Sequence, residues 1–164
     1  MAAPVSCNRT ATPSVTEGPY FKAGSPARTS LLDAALPGTR LTLTGLVLNA
    51  SCQPVPGAVL DFWQADAAGR YDNTGFTLRG HQTADSGGGY RLETVIPGLY
   101  TGRTEHIHVK VQMPGGSILT TQLFFPDMAT NSADGIYNPA LLIDLAPGGE
   151  ARTGRFDFVL MGSA

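Results

Sequence analysis

Lysine is nearly absent from this chain. Of its 11 cations only Lys22 and Lys110 are lysines, and against 13 acidic residues they leave a net charge of −2. No basic stripe of the kind a nucleic acid needs can be assembled from that set, so no nucleic-acid partner is expected. Long apolar runs are missing too. Stretches such as Leu141-Leu142-Ile143 fall far short of the roughly 20 residues that span a bilayer, so no membrane partner is expected. The opening Met1-Ala2-Ala3-Pro4 has no charged or apolar stretch, so no signal peptide is visible, although a chain starting just after a removed leader would begin the same way. Cysteine is limited to Cys7 and Cys52, with no CxxC pair and no further thiol to complete a zinc site. A Cys7–Cys52 disulfide would tie an N-terminal arm to the turn Asn49–Cys52 and would suit an extracellular, oxidising compartment. Two unrelated reduced thiols in a cytoplasmic protein are the alternative.

Glycine and proline, by contrast, are abundant. Twenty Gly and 12 Pro exclude a coiled coil or a long-helix bundle, whose interiors tolerate neither residue. A hydrophobic share of 42% stands against disorder. The 164 residues suit one domain over 1–164, with 1–40 as an arm packed on it. In that arm Pro4, Pro13, Pro19, Pro26 and Pro37 stand among polar residues, with one turn of helix expected over Ser30–Ala35. From Arg40 the pattern becomes period-2: Leu41, Leu43, Gly45 and Val47 alternate with Thr42, Thr44, Leu46 and Leu48. A turn over Asn49–Gly57 leads to a strand at Ala58–Gln64, and Ala65–Gly89 reads mostly as loop. Further strands are expected at Tyr90–Val95, His106–Met113, Ser117–Phe125, Leu141–Leu145 and Arg155–Leu160, with Pro114-Gly115-Gly116 closing a hairpin. Seven or so short strands without a long helix predict an all-β fold, a β-sandwich of prealbumin-like type with long loops.

Histidine is sparse, yet two of the three residues form His106-Ile107-His108. Side chains at i and i+2 of a strand share a face, so both imidazoles reach one metal ion without bending the backbone. Neutral imidazoles suit Zn, Cu, Fe or Ni. Among further donors, Glu105 points to the opposite face of the strand, and Asp66 and Asp72 lie in the long loop without distinctive spacing. Tyr71 after Gly69-Arg70 and Tyr100 after Pro97-Gly98-Leu99 are phenols that close loops. A phenol titrating near ~10 becomes a ligand only when a strongly Lewis-acidic cation drives off its proton, which favours Fe(III). His81 has no partner at useful spacing, Asp85 before three glycines reads as a turn residue, and Trp63 and Tyr90 read as core residues, with Tyr137 a loop anchor.

These segments resemble a known family. Thr16-Glu17-Gly18-Pro19-Tyr20-Phe21, Pro54-Val55-Pro56-Gly57-Ala58 and Trp63-Gln64-Ala65-Asp66-Ala67-Ala68-Gly69-Arg70-Tyr71 match intradiol ring-cleavage dioxygenases, as do Ile96-Pro97-Gly98-Leu99-Tyr100, Arg103-Thr104-Glu105-His106-Ile107-His108 and Leu119-Thr120-Thr121-Gln122-Leu123-Phe124. These are the non-haem iron(III) enzymes that include protocatechuate 3,4-dioxygenase and catechol 1,2-dioxygenase. The segments run in the family's order over most of the chain. The resemblance implies Tyr71, Tyr100, His106 and His108 as iron ligands, with Tyr100 the axial phenolate that substrate displaces, Tyr71 and His106 equatorial and His108 axial. It implies Arg103 as a substrate-binding residue that stabilises charge on the substrate ring, Gln122 as a catalytic residue that orients substrate, and Thr16, Pro19 and Tyr20 as lining of the substrate pocket. The implied partners are O2 and a small catechol, cleaved between its two hydroxyl-bearing carbons to a cis,cis-muconate.

Two departures stand out. Thr104-Glu105 replaces the Pro-Ala that many relatives carry before the first His ligand, and the long N-terminal helical segment of dimeric catechol 1,2-dioxygenases is not seen, which leaves the oligomeric state open. Two other functions use the same residues. A non-catalytic prealbumin-like module would need neither the tyrosines nor the histidines, and a zinc or copper enzyme would use His106, His108 and a carboxylate without Tyr71.

Overall fold

The computed structural model describes residue 7, residues 9–33 and residues 36–161. Nine strands are present there: β1 (Arg40–Asn49), β2 (Val59–Gln64), β3 (Arg79–Thr83), β4 (Gly89–Val95), β5 (His106–Gln112), β6 (Ile118–Phe124), β7 (Asp144–Leu145), β8 (Ala151–Arg155) and β9 (Phe158–Leu160). One sheet runs β4-β1-β8-β7, with β9 also on β1, and the other runs β3-β2-β5-β6. The two sheets form the predicted all-β sandwich. Its core is their facing apolar rows, Leu41, Leu43 and Leu92 from one side and Leu60, Phe62, Ile107 and Val109 from the other. The alternation in β1 and β5 follows from the pleat, which sends successive side chains to opposite faces.

Three segments of the sandwich differ from the sequence expectation, each for a local reason. The stretch expected as loop contains β3. Its inward positions are Gly80 and Gln82 rather than large apolar residues. A Cβ on Gly80 would lie 2.8 Å from both Arg28 and Leu31 atoms. Gln82 exchanges hydrogen bonds with the backbone of Arg91 on the opposite sheet, which replaces apolar packing with amide pairing. Leu141–Leu145 is a strand only at Asp144–Leu145, because Asn138 caps a 3-10 turn over Pro139–Leu141 with a side-chain bond from Ala140 N–H. The final strand divides into β8 and β9, both parallel to β1. The break falls where Asp157 accepts Leu46 N–H and the Phe156 carbonyl sits so close to Gly45 that a Cβ there would lie 1.8 Å from it.

The N-terminal arm is extended rather than helical where described. Ser30 bridges to Glu93, while Ala34 and Ala35 of the expected helical turn lie outside the described residues. Thr12 pairs with Val159 of β9, Val15 with Thr120 of β6, Pro26 and Arg28 with His81 of β3, and Thr29 and Leu31 with Glu93 of β4. The arm thus closes successive open strand edges, which would otherwise present unpaired backbone groups. Between Val15 and Pro26 it crosses the outer face of the β3-β2-β5-β6 sheet. Cys7 and Cys52 form a disulfide across 45 positions, joining the start of the arm to the β1–β2 turn. No described helix is long and apolar enough to cross a membrane.

A bridge closing a loop of this length removes chain entropy worth about 2–4 kcal/mol. Cys52→Ser should therefore lower the thermal midpoint by several degrees in calorimetry, whereas the same substitution under reducing conditions should add no further loss. An unchanged midpoint under oxidising conditions would exclude a stabilising role for the bridge.

Candidate active site

The outer face of the four-stranded sheet carries the polar chemistry. Strand register places Arg79, Trp63, His108 and Gln122 in one cross-strand row, with His106 opposite Phe124 one step beyond. On β5 the inward residues Ile107, Val109 and Val111 are fully buried in the core, which forces His106 and His108 onto the opposite face. That face is roofed by the arm and by the two loops that carry Tyr71 and Tyr100, so both imidazoles remain only 4% exposed. Trp63 is buried on this face rather than in the central core. It stacks on His108 at 4.7 Å with 8° between the ring planes and meets the edge of Phe21 from the arm.

Three donor atoms converge. Tyr71 Oη lies 3.3 Å from His106 Nε2 and 3.1 Å from His108 Nε2, and the two Nε2 atoms are 3.1 Å apart. Thr104 O lies 2.7 Å from His106 Nδ1 and accepts its proton, which leaves the Nε2 lone pair aimed at the convergence point. Burial pushes the His106 pKa down to about 4 and that of His108 well below its ordinary value, with neighbouring charge adding to the effect on His108. Both rings are therefore neutral near pH 7, the form that binds metals. Burial pushes Tyr71 the other way, well above the ordinary phenol value, against the opposing fields of Arg103 and Arg79. Tyr71 thus stays protonated unless a cation displaces the proton.

Tyr100 stands beside this triad. Its ring meets Tyr71 edge-on at 5.7 Å, and its hydroxyl is hydrogen-bonded to that of Tyr20. Tyr20 also stacks on Tyr71 with ring centres 4.6 Å apart. The loops presenting Tyr71 and Tyr100 touch backbone to backbone: Gly69 has φ +84°, and a Cβ there would lie 2.0 Å from Leu99 O. Gly98 N–H donates to Asp66 O, and the Asp66 side chain accepts from Ala68 and Arg70 N–H. Asp72 accepts from the N–H groups of Thr74, Gly75 and Thr77, which hold its carboxyl well below the usual carboxylate range. Both loop carboxylates considered as ligands are thus engaged in shaping turns. Asp85 does the same for Gly87 and Gly89.

Arg103 is fixed at both ends. Its Nε donates to Asp134 Oδ2 at 2.8 Å and a terminal nitrogen donates to Gln122 Oε1 at 2.6 Å. Gln122 Nε2 in turn donates to Thr16 O, linking the arginine to the arm. Thr16 Oγ1 accepts from Gly18 N–H within that segment, and Pro19 is exposed beside it. Asp134 is the buried residue that sequence inspection missed. Burial alone would raise its pKa, but the N–H groups of Ile136 and Thr104 and the Arg103 guanidinium outweigh that and lower it. Its setting, Ala133-Asp134-Gly135, reads as an ordinary turn, and nothing in linear spacing ties it to Arg103. Glu105 is half-buried, its nearest hydrogen-bond partner being Thr130 Oγ1 at 3.4 Å. His81 lies on β3 and bonds to the Ser25 carbonyl, apart from the triad. Tyr90 is in the core with its hydroxyl on Phe156 O, and Tyr137 packs against Phe124.

The depressed His106 value has a consequence for stability. Between about pH 6.5 and 4 the unfolded chain takes up a proton at His106 that the fold refuses, so stability should fall as pH drops through this window and level off above it. Imidazole NMR of the metal-free protein should show the His106 ring neutral until pH approaches 4. A ring titrating at its ordinary value would contradict the buried, neutral ligand described here.

Comparison with known proteins follows the same lines. The Dioxygenase_C model, described as a dioxygenase family, matches residues 16–162. A catechol 1,2-dioxygenase from Pseudomonas sp. (strain EST1001) is 31% identical over 150 residues, covering 74% of this chain and 50% of the relative. The protocatechuate 3,4-dioxygenase beta chain of Burkholderia cepacia is 30% identical over 76% of this chain and 66% of its own length. This chain spans about half the length of the first curated relatives, at 50%, 56% and 46%. Among solved structures, the dioxygenase domain of a dioxygenase carbohydrate-binding protein fusion from the cellulolytic bacterium Streptomyces sp. SirexAA-E superposes with a TM-score of 0.91 at 51% identity, covering 94% of this chain and all of that one. The 3-chlorocatechol 1,2-dioxygenase of Rhodococcus opacus 1CP gives 0.84 at 27% identity, over 93% of this chain and 73% of its own.

Proposed function

This chain belongs to the intradiol ring-cleavage dioxygenase family, and from that premise we propose that it opens a catechol between its two hydroxyl-bearing carbons with both atoms of O2, at a non-haem Fe(III) centre, giving a cis,cis-muconate-type dicarboxylate. The observation that carries the reading is the convergence of Tyr71 Oη, His106 Nε2 and His108 Nε2 within 3.3 Å of one another. Donor atoms this close together could be held by one ion, whose bonds to nitrogen and oxygen run to about 2.1 Å. The donor chemistry fits as well. Two neutral imidazoles and a phenol that needs a strong Lewis acid to ionise suit a trivalent hard ion. Tyr71, His106 and His108 would hold the iron, with Tyr100 as the fourth, exchangeable ligand. Bound iron would supply the Lewis acidity that ionises phenols and would make the catechol ring susceptible to O2.

The chain's own residues do the rest. As a phenolate Tyr100 would take a catechol proton, and its hydrogen bond to Tyr20 would stabilise the ionised member of the pair. Arg103 cannot swing away, because Asp134 and Gln122 hold both sides of its guanidinium. Its positive charge is held in a fixed position to meet negative charge that develops on the ring. Through Gln122 the same network reaches Thr16, so the arm that lines the substrate side is tied to the charged residue. The disulfide supports an extracellular site of action, since such bridges persist in oxidising compartments. Likeness to a dioxygenase domain from a cellulolytic bacterium supports a plant-derived aromatic as the source of the catechol.

The proposal is tested by colour and oxygen uptake together. Protein loaded with Fe(III) should be burgundy from tyrosinate charge transfer, the band should shift when catechol is added, and O2 should be consumed mole for mole with catechol. His106→Ala should abolish both iron binding and colour, while His81→Ala should leave them intact. A colourless iron-replete sample would favour the non-catalytic module, and tight zinc or copper binding that survives Tyr71→Phe would favour the other metalloenzyme.

A further inference from the structure

Arg79 is among the largest fully buried side chains, only 2% exposed, yet its hydrogen bonds go to neutral oxygens. Its Nε donates to Asp72 O at 3.0 Å, one terminal nitrogen donates to Tyr20 O, and the other donates to Asn73 Oδ1 at 3.3 Å. Burying a cation whose hydrogen bonds all go to neutral oxygens is costly, and the nearby Asp72 and Asp61 carboxylates offset part of that cost. A planar fork of five donors can also reach two separate backbones at once with fixed geometry. Here one backbone is that of Tyr20, which stacks on Tyr71, and the other is that of Asp72, in the Tyr71 loop. The Tyr20 carbonyl is that of the residue whose hydroxyl meets Tyr100, and Asp72 directly follows Tyr71. Arg79 itself is anchored in register beside Trp63, whose other neighbour in the row is His108.

The same seam is stapled twice more at its rim. Lys22 Nζ donates to Thr74 O and Gly75 O, and Arg28 donates to Phe76 O and Arg79 O. All three cations bind carbonyls along one line, where the arm meets loop 72–79. Only Arg79 does so from beneath the tyrosines.

We propose that Arg79 is a positioning residue that sets the separation and tilt of Tyr20 and Tyr71 by holding the backbones of both segments on one guanidinium. Its consequence for catalysis rests on the dioxygenase reading of the site. Loss of the fork frees the arm to lift from the sheet while leaving the sandwich core in place, because none of the three acceptors lies in a core strand.

Arg79→Lys keeps the charge but replaces the rigid fork with a single ammonium, and Arg79→Met removes the charge at similar size. The single tryptophan, Trp63, is 1% exposed beneath Phe21 and reports on the arm. In metal-free R79K we expect its emission to shift to the red. Amide exchange at residues 20, 21 and 72–75 should accelerate about tenfold, with β1 and β5 unchanged. In the iron-loaded protein KM for catechol should rise about fivefold or more, with a smaller change in kcat. Lys22→Met, at the rim, should have little effect on either. Wild-type exchange and emission in R79K would overturn the proposal. So would acceleration spread equally over β1 and β5, which would mark Arg79 as a general support of the fold. If R79M does not fold, R79K alone decides. If the wild-type protein consumes no O2 with any catechol, the dioxygenase reading fails, while the metal-free measurements still judge the positioning role.

Discussion

The pleat of β5 is the constraint on which the rest depends. Ile107, Val109 and Val111 must enter the core, so His106 and His108 must leave it. Two imidazoles turned outward from a sheet would ordinarily meet water and titrate as surface groups. Here they are nearly as buried as the core, and everything else in the molecule serves to cover them. The arm crosses above, the Tyr71 and Tyr100 loops close the end, and Trp63 lies flat against His108.

Covering a polar sheet face raises a problem that apolar packing cannot solve, because the roof is irregular backbone with unpaired carbonyls. Cations answer it. Arg79, Arg28 and Lys22 collect the carbonyls of loop 72–79 and of Tyr20, while Asp66 and Asp72 collect the amide groups of the adjoining turns. The scarcity of lysine noted in the sequence acquires a structural sense here. Most of the cations are arginines, and at least two of them use a rigid planar fork that an ammonium does not provide. The arm's pairing with β9, β6, β3 and β4 closes strand edges on the way, so one segment both roofs the site and caps the sandwich.

Burial then sets the electrostatics. The histidines are held neutral and Tyr71 is held protonated, so the triad's own side chains carry no charge to repel a cation and offer one proton to be displaced by it. Arg103, the one guanidinium engaged beside the triad with a carboxylate, is balanced by Asp134 and steered by Gln122. A carboxylate 31 positions away in the chain thus decides where the site's positive charge points.

Much of this was legible in the sequence because the signals are local. Period-2 alternation located β1, β2, β4, β5 and β6, the HxH spacing put two imidazoles on one face, and the string from Arg103 to His108 carried the family likeness. Where the signal is not local, the sequence was silent. Strand β3 is held by Gln82 bonding across to Arg91, the Trp63 ring serves the outer face rather than the core, and Asp134 looks like a turn residue until Arg103 is beside it. By itself the sequence determined the sandwich and the identity of the candidate donors, since alternation and residue chemistry are properties of short segments. Only the tertiary structure decided that Tyr71 meets both histidines while Tyr100 rests on Tyr20, and that Arg79 joins the backbones of Tyr20 and Asp72, because those segments are brought together across 35 to 80 positions of chain.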